Sequence, residues 1–258
     1  KLAVSIVRDM LNEDPFPMPN GESNVDERDE GPLPLLRATI QKANDSIHQT
    51  NRDLLQREDA SSKSRPMGTT VLSALIQPRR VYIANVGDSR AYHIRDNEII
   101  ARTEDHSWVD EQVKAGLMSK AEAETDYRKN IVTRCVGTHP DISVDTYRWY
   151  IVPGDLLVLC TDGLVNMVPD QEILDVIGRH GTAADLAQRL VNLANENGGK
   201  DNITVIVAHI SPSWWRLAIL RTRSFFRKHG FTLGGALLII LWGAAAFAAG
   251  WFLNDFYD

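Results

Sequence analysis

Between Thr69 and Arg102 the chain strings together four β-rich runs, TTVLSALI, RRVYIANVG, RAYHIR and IIAR, with only a few residues between them. That spacing constrains the fold more than anything else in the sequence. Strands joined by short turns lie antiparallel, because a parallel partner needs a crossover of a dozen or more residues. The RDNE stretch at Arg95–Glu98 is such a turn. Two further strand-like runs, YRWYIVPG and DLLVLCTDG, come later, and NITVIVAHI is the last. Helical spacing marks KLAVSIVRDML at the start, LLRATIQKANDSIHQTNRDLL before the strands and WVDEQVKAGLMSKAEAE after them, the last with Gly116 where a C-cap would fall. PDQEILDVIGRHG and TAADLAQRLVNLANENGG read as two more helices, the second opened by a Thr cap and closed by Gly198 and Gly199. Strands in sequence, rather than strands alternating with helices, predict an α+β domain built on an antiparallel meander. The acidic, Pro-rich stretch from Asn12 to Pro34 reads as a solvated loop.

The far end breaks this pattern. FTLGGALLIILWGAAAFAAGWFL, Phe231 to Leu253, is 23 residues without a charge. About 20 apolar residues suffice to cross a bilayer. Arg216, Arg221, Arg223, Arg227 and Lys228 precede the run, and only Asp255 and Asp258 are charged after it. By the positive-inside rule this predicts a single-pass span with the preceding domain in the cytoplasm. The organisation expected is therefore a domain over residues 1–210, a basic linker over 211–230, a transmembrane helix over 231–253 and a short external tail over 254–258. The formal net charge of −6 argues against nucleic acid, whose binders carry a basic face. Cys135 and Cys160 show no metal-ligand spacing and read as small core residues in a reducing compartment.

Asp162 is out of place in the apolar run LVLCTDGLV. A carboxylate beside a core costs several kcal/mol, roughly, unless something meets its charge. Asp162 is expected to end its strand and Asp201, in GGKDNITVIV, to open the final one, with the helix pair lying between the two acids. If those two strands are antiparallel neighbours, their carboxylates converge. Close carboxylates repel unless one protonates or a cation sits between them. Hard oxygen donors at strand ends suit Mg²⁺ or Mn²⁺ rather than Zn²⁺. Asp105, in TEDHSWV, is a third acid, placed where a strand gives way to a helix. Each alone is an ordinary turn former or N-cap, and DG and DN are ordinary turn dipeptides; the three together point to a metal.

MGTT, VYIANVGDSRAYHIR, TEDHSWVDEQVKAGLMSKAEAE, NIVTRCVG, GDLLVLCTDGL and GGKDNITVIV stand in the order found in metal-dependent protein serine/threonine phosphatases, and over roughly residues 1–210 the chain resembles that family, the PPM or type 2C phosphatases in their bacterial form. The resemblance implies a central antiparallel β-sandwich with helices on both outer faces, four layers in the order α/β/β/α. It implies hydrolysis of phosphoserine and phosphothreonine in proteins by a hydroxide held between two Mn²⁺ or Mg²⁺ ions. By position, Asp162 and Asp201 match ligands of one catalytic ion, and Asp105 an acid that helps bind a third. Trp108–Asn130 matches a mobile flap beside the site. Gly87, Asp88, Ser89 and Arg90 form the family's GDSR turn, which reads as scaffold, as do Gly68 and Thr69. His106 reads as a cap or surface residue rather than an acid catalyst. Expected partners are phosphorylated proteins, among them a membrane serine/threonine kinase and its substrates, together with membrane lipid.

Two of the family's motifs do not appear: an acidic segment with a phosphate-binding Arg, and D-G-x-G-G-H, which supplies further metal ligands. The Asn-Glu-Asp at Asn12–Asp14 follows the first helix and resembles the former in letters only. The chain then reads either as a segment of a phosphatase or as a catalytically dead, membrane-tethered binding module on the same fold. A phosphotransferase of the haloacid-dehalogenase type wants a second Asp two residues from the first, where this chain has Cys160 and Leu164. No H-E-x-x-H pattern supports a metalloprotease.

Overall fold

The computed structural model describes residues 2–13, 30–57 and 66–211, which belong to one compact unit, Lys1–Ser211. The elements run α1 (Leu2–Glu13), α2 (Leu33–Arg57), β1 (Val71–Gln77), β2 (Arg80–Val86), β3 (Arg90–Arg95), β4 (Glu98–Arg102), α3 (Trp108–Lys114), α4 (Lys120–Thr125), β5 (Asp145–Tyr150), β6 (Leu156–Cys160), α5 (Asp162–Val165), α6 (Asp170–Ile177), α7 (Ala183–Glu196) and β7 (Val205–His209). The strands form two antiparallel sheets, in the orders β1-β2-β5 and β4-β3-β6-β7.

Alternation along the strands sends apolar side chains to both faces, and three buried clusters result. Val81 and Ile83 from the first sheet meet Ala91 and Leu157 from the second, filling the sandwich interior. The opposite face of the first sheet, with Tyr82, Ala84 and Val86, is covered by Leu36, Ile40 and Ile47 of α2 and by Ala3 of α1. The opposite face of the second, with Tyr92, Ile94 and Val158, is covered by α5, α6 and α7 through Leu164, Ile173, Leu186 and Leu190. These are the four layers the resemblance implies. At the end of the sandwich away from Asp162, Asp155 is wholly buried and accepts from Arg95 Nε at 2.7 Å, His93 Nε2 at 2.7 Å and the Val152 amide at 2.8 Å. Burial opposes its charge, yet these three donors bring the carboxyl down to about 2.

Three local expectations need correcting. WVDEQVKAGLMSKAEAE is two short helices. Gly116, at φ +70°, follows the C-cap Ala115, and Ser119 begins a second helix through a capping box with Glu122. The strand of LVLCTDG stops at Cys160, so Asp162 does not end it. Thr161 is the N-cap of α5, and Asp162 is its first residue. Asp201 does not open β7 but lies in the loop before Val205. The Asp96–Asn97 turn is as expected, both residues having positive φ of 49° and 61°, as a two-residue hairpin requires. The proposed span over 231–253 lies outside the described residues, as does most of the acidic loop. Among the described residues no helix is long and apolar enough to cross a membrane.

Candidate active site

The second sheet carries the acids in a row at one end. Arg90 pairs with Cys160 across β3 and β6, so two residues beyond each strand end stand Asp88 and Asp162. Cys160 pairs with Val205 across β6 and β7, and Asp201 lies in the loop just before that strand's start. Asp105 follows β4 on the other side of β3. Antiparallel register alone thus brings four carboxylates to one edge of the sandwich.

Two close contacts fix the loops that hold Asp162 and Asp201. Thr161 donates from its amide to Thr204 O at 3.1 Å and from Oγ1 to Asn202 O at 3.1 Å, and it accepts the Thr204 amide. Beside it Gly163 runs so near the Asn202 backbone that a Cβ would lie 2.5 Å from the Asn202 carbonyl oxygen. Only glycine permits that approach. The electrostatics follow from the geometry. Burial raises the Asp162 carboxyl above the ordinary Asp range, the charge of Asp201 raises it further, and Asp105 adds to both. Asp88 is pushed up to about 6, first by burial and then by the charge of Asp162, with Asp105 adding to the rise and Arg90 opposing it.

Asp105 is placed differently from expectation. Both its oxygens are taken by Arg90, with Nε 2.7 Å from Oδ1 and Nη2 2.7 Å from Oδ2, and its side chain is only 9% exposed. A bidentate guanidinium leaves that carboxylate little to offer a cation. Asp88, read from the sequence as scaffold, instead faces Asp162. Arg90 also approaches Asp170, at 3.9 Å, and Tyr92 Oη donates to Asp170 at 2.9 Å. His106 is not a surface residue. It is wholly buried, and burial, followed by the charge of Arg134, lowers its basicity.

The described residues fit a hard divalent cation in part. Several carboxylates converge, their mutual repulsion is visible in the raised Asp162 and Asp88, and all the donors are oxygen. Among the described residues, no three His, Cys, Asp or Glu side chains are arranged so as to hold an ion by themselves.

A four-layer antiparallel sandwich with an acid row at the strand ends defines a class, and comparison with known proteins places the chain within it. The family model "Protein phosphatase 2C" matches residues 22–112 and 125–203. The chain belongs to the protein phosphatase 2C family. The serine/threonine phosphatase Stp of Listeria welshimeri is 38% identical over 161 residues, 62% of this chain and 64% of that protein. The crystal structure of the Mycobacterium tuberculosis serine/threonine phosphatase PstP/Ppp is similar with a TM-score of 0.66 at 28% identity, covering 81% of each chain. The catalytic domain of PstP in complex with two manganese ions is similar with a TM-score of 0.62 at 28% identity, covering 81% of this chain and 80% of that one. The matched region thus spans 64% of the length of the Listeria relative.

Proposed function

We propose that the protein hydrolyses phosphoserine and phosphothreonine in other proteins, and that this chain contributes Asp162, Asp201 and Asp88 to a site for Mn²⁺ or Mg²⁺. The observation that carries the reading is the placement of Asp162 and Asp201 beside the adjoining ends of β6 and β7, where burial and then the charge of Asp201 raise the Asp162 carboxyl. Family membership and the manganese-bound PstP relative support it. When bound, such ions activate the attacking water and neutralise charge on the transferring phosphoryl group. Asp162, at the start of α5, and Asp201, in the loop before β7, would hold such a cation, with Asp88 across the β3–β6 pair. Arg90 fixes Asp105 and presents a buried positive charge behind the row.

The uncharged run at 231–253 and the basic residues before it support a second part of the reading. The domain is tethered to the inner face of the plasma membrane by a single span, and its substrates include the cytoplasmic domain of a membrane serine/threonine kinase.

The test is substitution in the full-length protein. Asp162→Asn should abolish Mn²⁺-dependent hydrolysis of a phosphothreonine peptide while the metal-free melting temperature holds or rises, and Asp201→Asn should behave alike. Near-normal turnover of either variant at saturating Mn²⁺ would remove these carboxylates from the site.

A further inference from the structure

Gly87 lies at φ +115° between β2 and β3, and a Cβ there would strike Thr70 at 2.3 Å. Such a turn leaves the strand ladder, so its peptide groups need other partners. His106 supplies them. Its Nδ1 accepts the Gly87 amide at 3.0 Å, and its own amide donates to Gly87 O at 3.0 Å. Asn85 Nδ2 adds a donor to the same oxygen at 3.3 Å. Since Nδ1 accepts, the neutral ring carries its proton on Nε2, which lies 3.2 Å from Asp145 Oδ2 without a well-aligned hydrogen bond. Asp145 also takes Arg134 Nη1 at 2.7 Å. On the backbone side, His106 O accepts the Thr133 amide at 2.8 Å, and the next residues join the returning segment through Trp108 N to Ile131 O at 2.8 Å. The buried imidazole therefore touches the turn that carries Asp88 and the edge strand β5, while the backbone of the same residue holds the root of the arm spanning 108–134.

We propose that His106 is a positioning residue. Through the Gly87 amide it fixes where Asp88 stands relative to Asp162, and it ties that position to the root of the arm. The inference rests on the reading that the acid row binds a divalent cation. His106 itself touches neither ion nor substrate.

Asparagine and glutamine separate the two sides of the ring. Asn places an oxygen where Nδ1 is, so it can still accept the Gly87 amide. Gln reaches the Nε2 position and loses that acceptor. The experiment titrates Mn²⁺ into full-length wild type, His106→Asn, His106→Gln and Asp162→Asn, following free Mn²⁺ by electron paramagnetic resonance, with metal-free melting curves for each. Loss of a group that orients metal ligands typically weakens metal about 10- to 100-fold. That is the expected result for His106→Gln, with His106→Asn within about threefold of wild type by the same yardstick. Wild-type affinity in a folded His106→Gln overturns the inference. So does a His106→Asn that melts like wild type yet binds as weakly as His106→Gln. If His106→Gln does not fold, His106→Asn decides alone, since retained affinity supports the bond to Gly87 and lost affinity refutes it. Wild-type protein that binds no Mn²⁺, or Asp162→Asn that binds it as tightly as wild type, defeats the metal reading and this inference with it. Failure confined to the His106 variants leaves the metal reading standing.

Discussion

Arg90 distinguishes the two acids, Asp105 and Asp88, on the β4–β3 side of Asp162. Its guanidinium is one-fifth exposed and grips both oxygens of Asp105, so each charge is the other's compensation. Removing one member of a pair so enclosed strands the other and costs about 3–5 kcal/mol. Asp105→Asn should therefore lower the metal-free melting temperature, and high Mn²⁺ should not restore the loss. Asp88→Asn should act in the opposite sense. A carboxyl raised to about 6 in the folded chain, against 3.8 ordinarily, adds stability below about pH 4 that is lost as pH rises through 6. The metal-free protein should then melt higher at pH 5 than at pH 7.5, and Asp88→Asn should melt higher than wild type at pH 7.5 and flatten that dependence. Melting curves at the two pH values with chelator present check both; a less stable Asp88→Asn at pH 7.5 would contradict the placement of Asp88. The sequence showed three acids near strand ends but not which of them Arg90 would take. Arg90 is two residues from Asp88 and much farther along the chain from Asp105. The choice is made by the β3–β4 hairpin, which swings Asp105 alongside Arg90, and no local spacing encodes that.

At the scale of elements, the junction of β6 with α5 sets the site. An apolar strand ends at Cys160, Thr161 pins the 202–204 backbone with both its amide and its hydroxyl, and Gly163 lets that backbone pass within contact distance. A methyl group at Gly163 would meet backbone rather than a flexible side-chain tip, so the two segments must separate. Gly163→Ala should weaken Mn²⁺ binding by the full-length protein about tenfold or more, as misplacing a ligand does. A calorimetric titration giving wild-type affinity would show that the junction tolerates the shift. Much of this scale was legible beforehand. The β3–β4 turn, the α2 stripe and the two-helix excursion before β7 follow from turn dipeptides and periodicity. The break between α3 and α4 was signalled by Gly116, but the Ser119 capping box that restarts the helix three residues later was not read from the sequence. The start of α5 was hidden because Leu164 and Val165 prolong the strand's apolar run, while the N-cap Thr161 receives no side-chain cap bond to advertise it.

At the scale of the molecule, the domain ends at β7, and residues 212–258 carry the basic and then uncharged runs. The last prediction concerns what those runs do. An apolar stretch of 23 residues buried in hydrocarbon is held by the hydrophobic effect, so high salt should leave the full-length protein in the membrane fraction, whereas attachment by the five Arg and Lys residues alone would be screened. Tethering should also act on rate. A linker of some twenty residues confines the domain near the bilayer and raises its effective concentration toward membrane-embedded substrates, to the order of mM for a short flexible link. It should do nothing for a freely diffusing peptide. Deleting residues 212–258 should therefore release the enzyme to the soluble fraction, leave turnover of a short phosphothreonine peptide unchanged, and slow dephosphorylation of a membrane-embedded target. Full-length protein found in the soluble fraction, or a C-terminal tail shielded from protease on the outer side of intact cells, would rule the span out. Equal loss of peptide and membrane-target turnover on deletion would show instead that these residues support the fold of the domain.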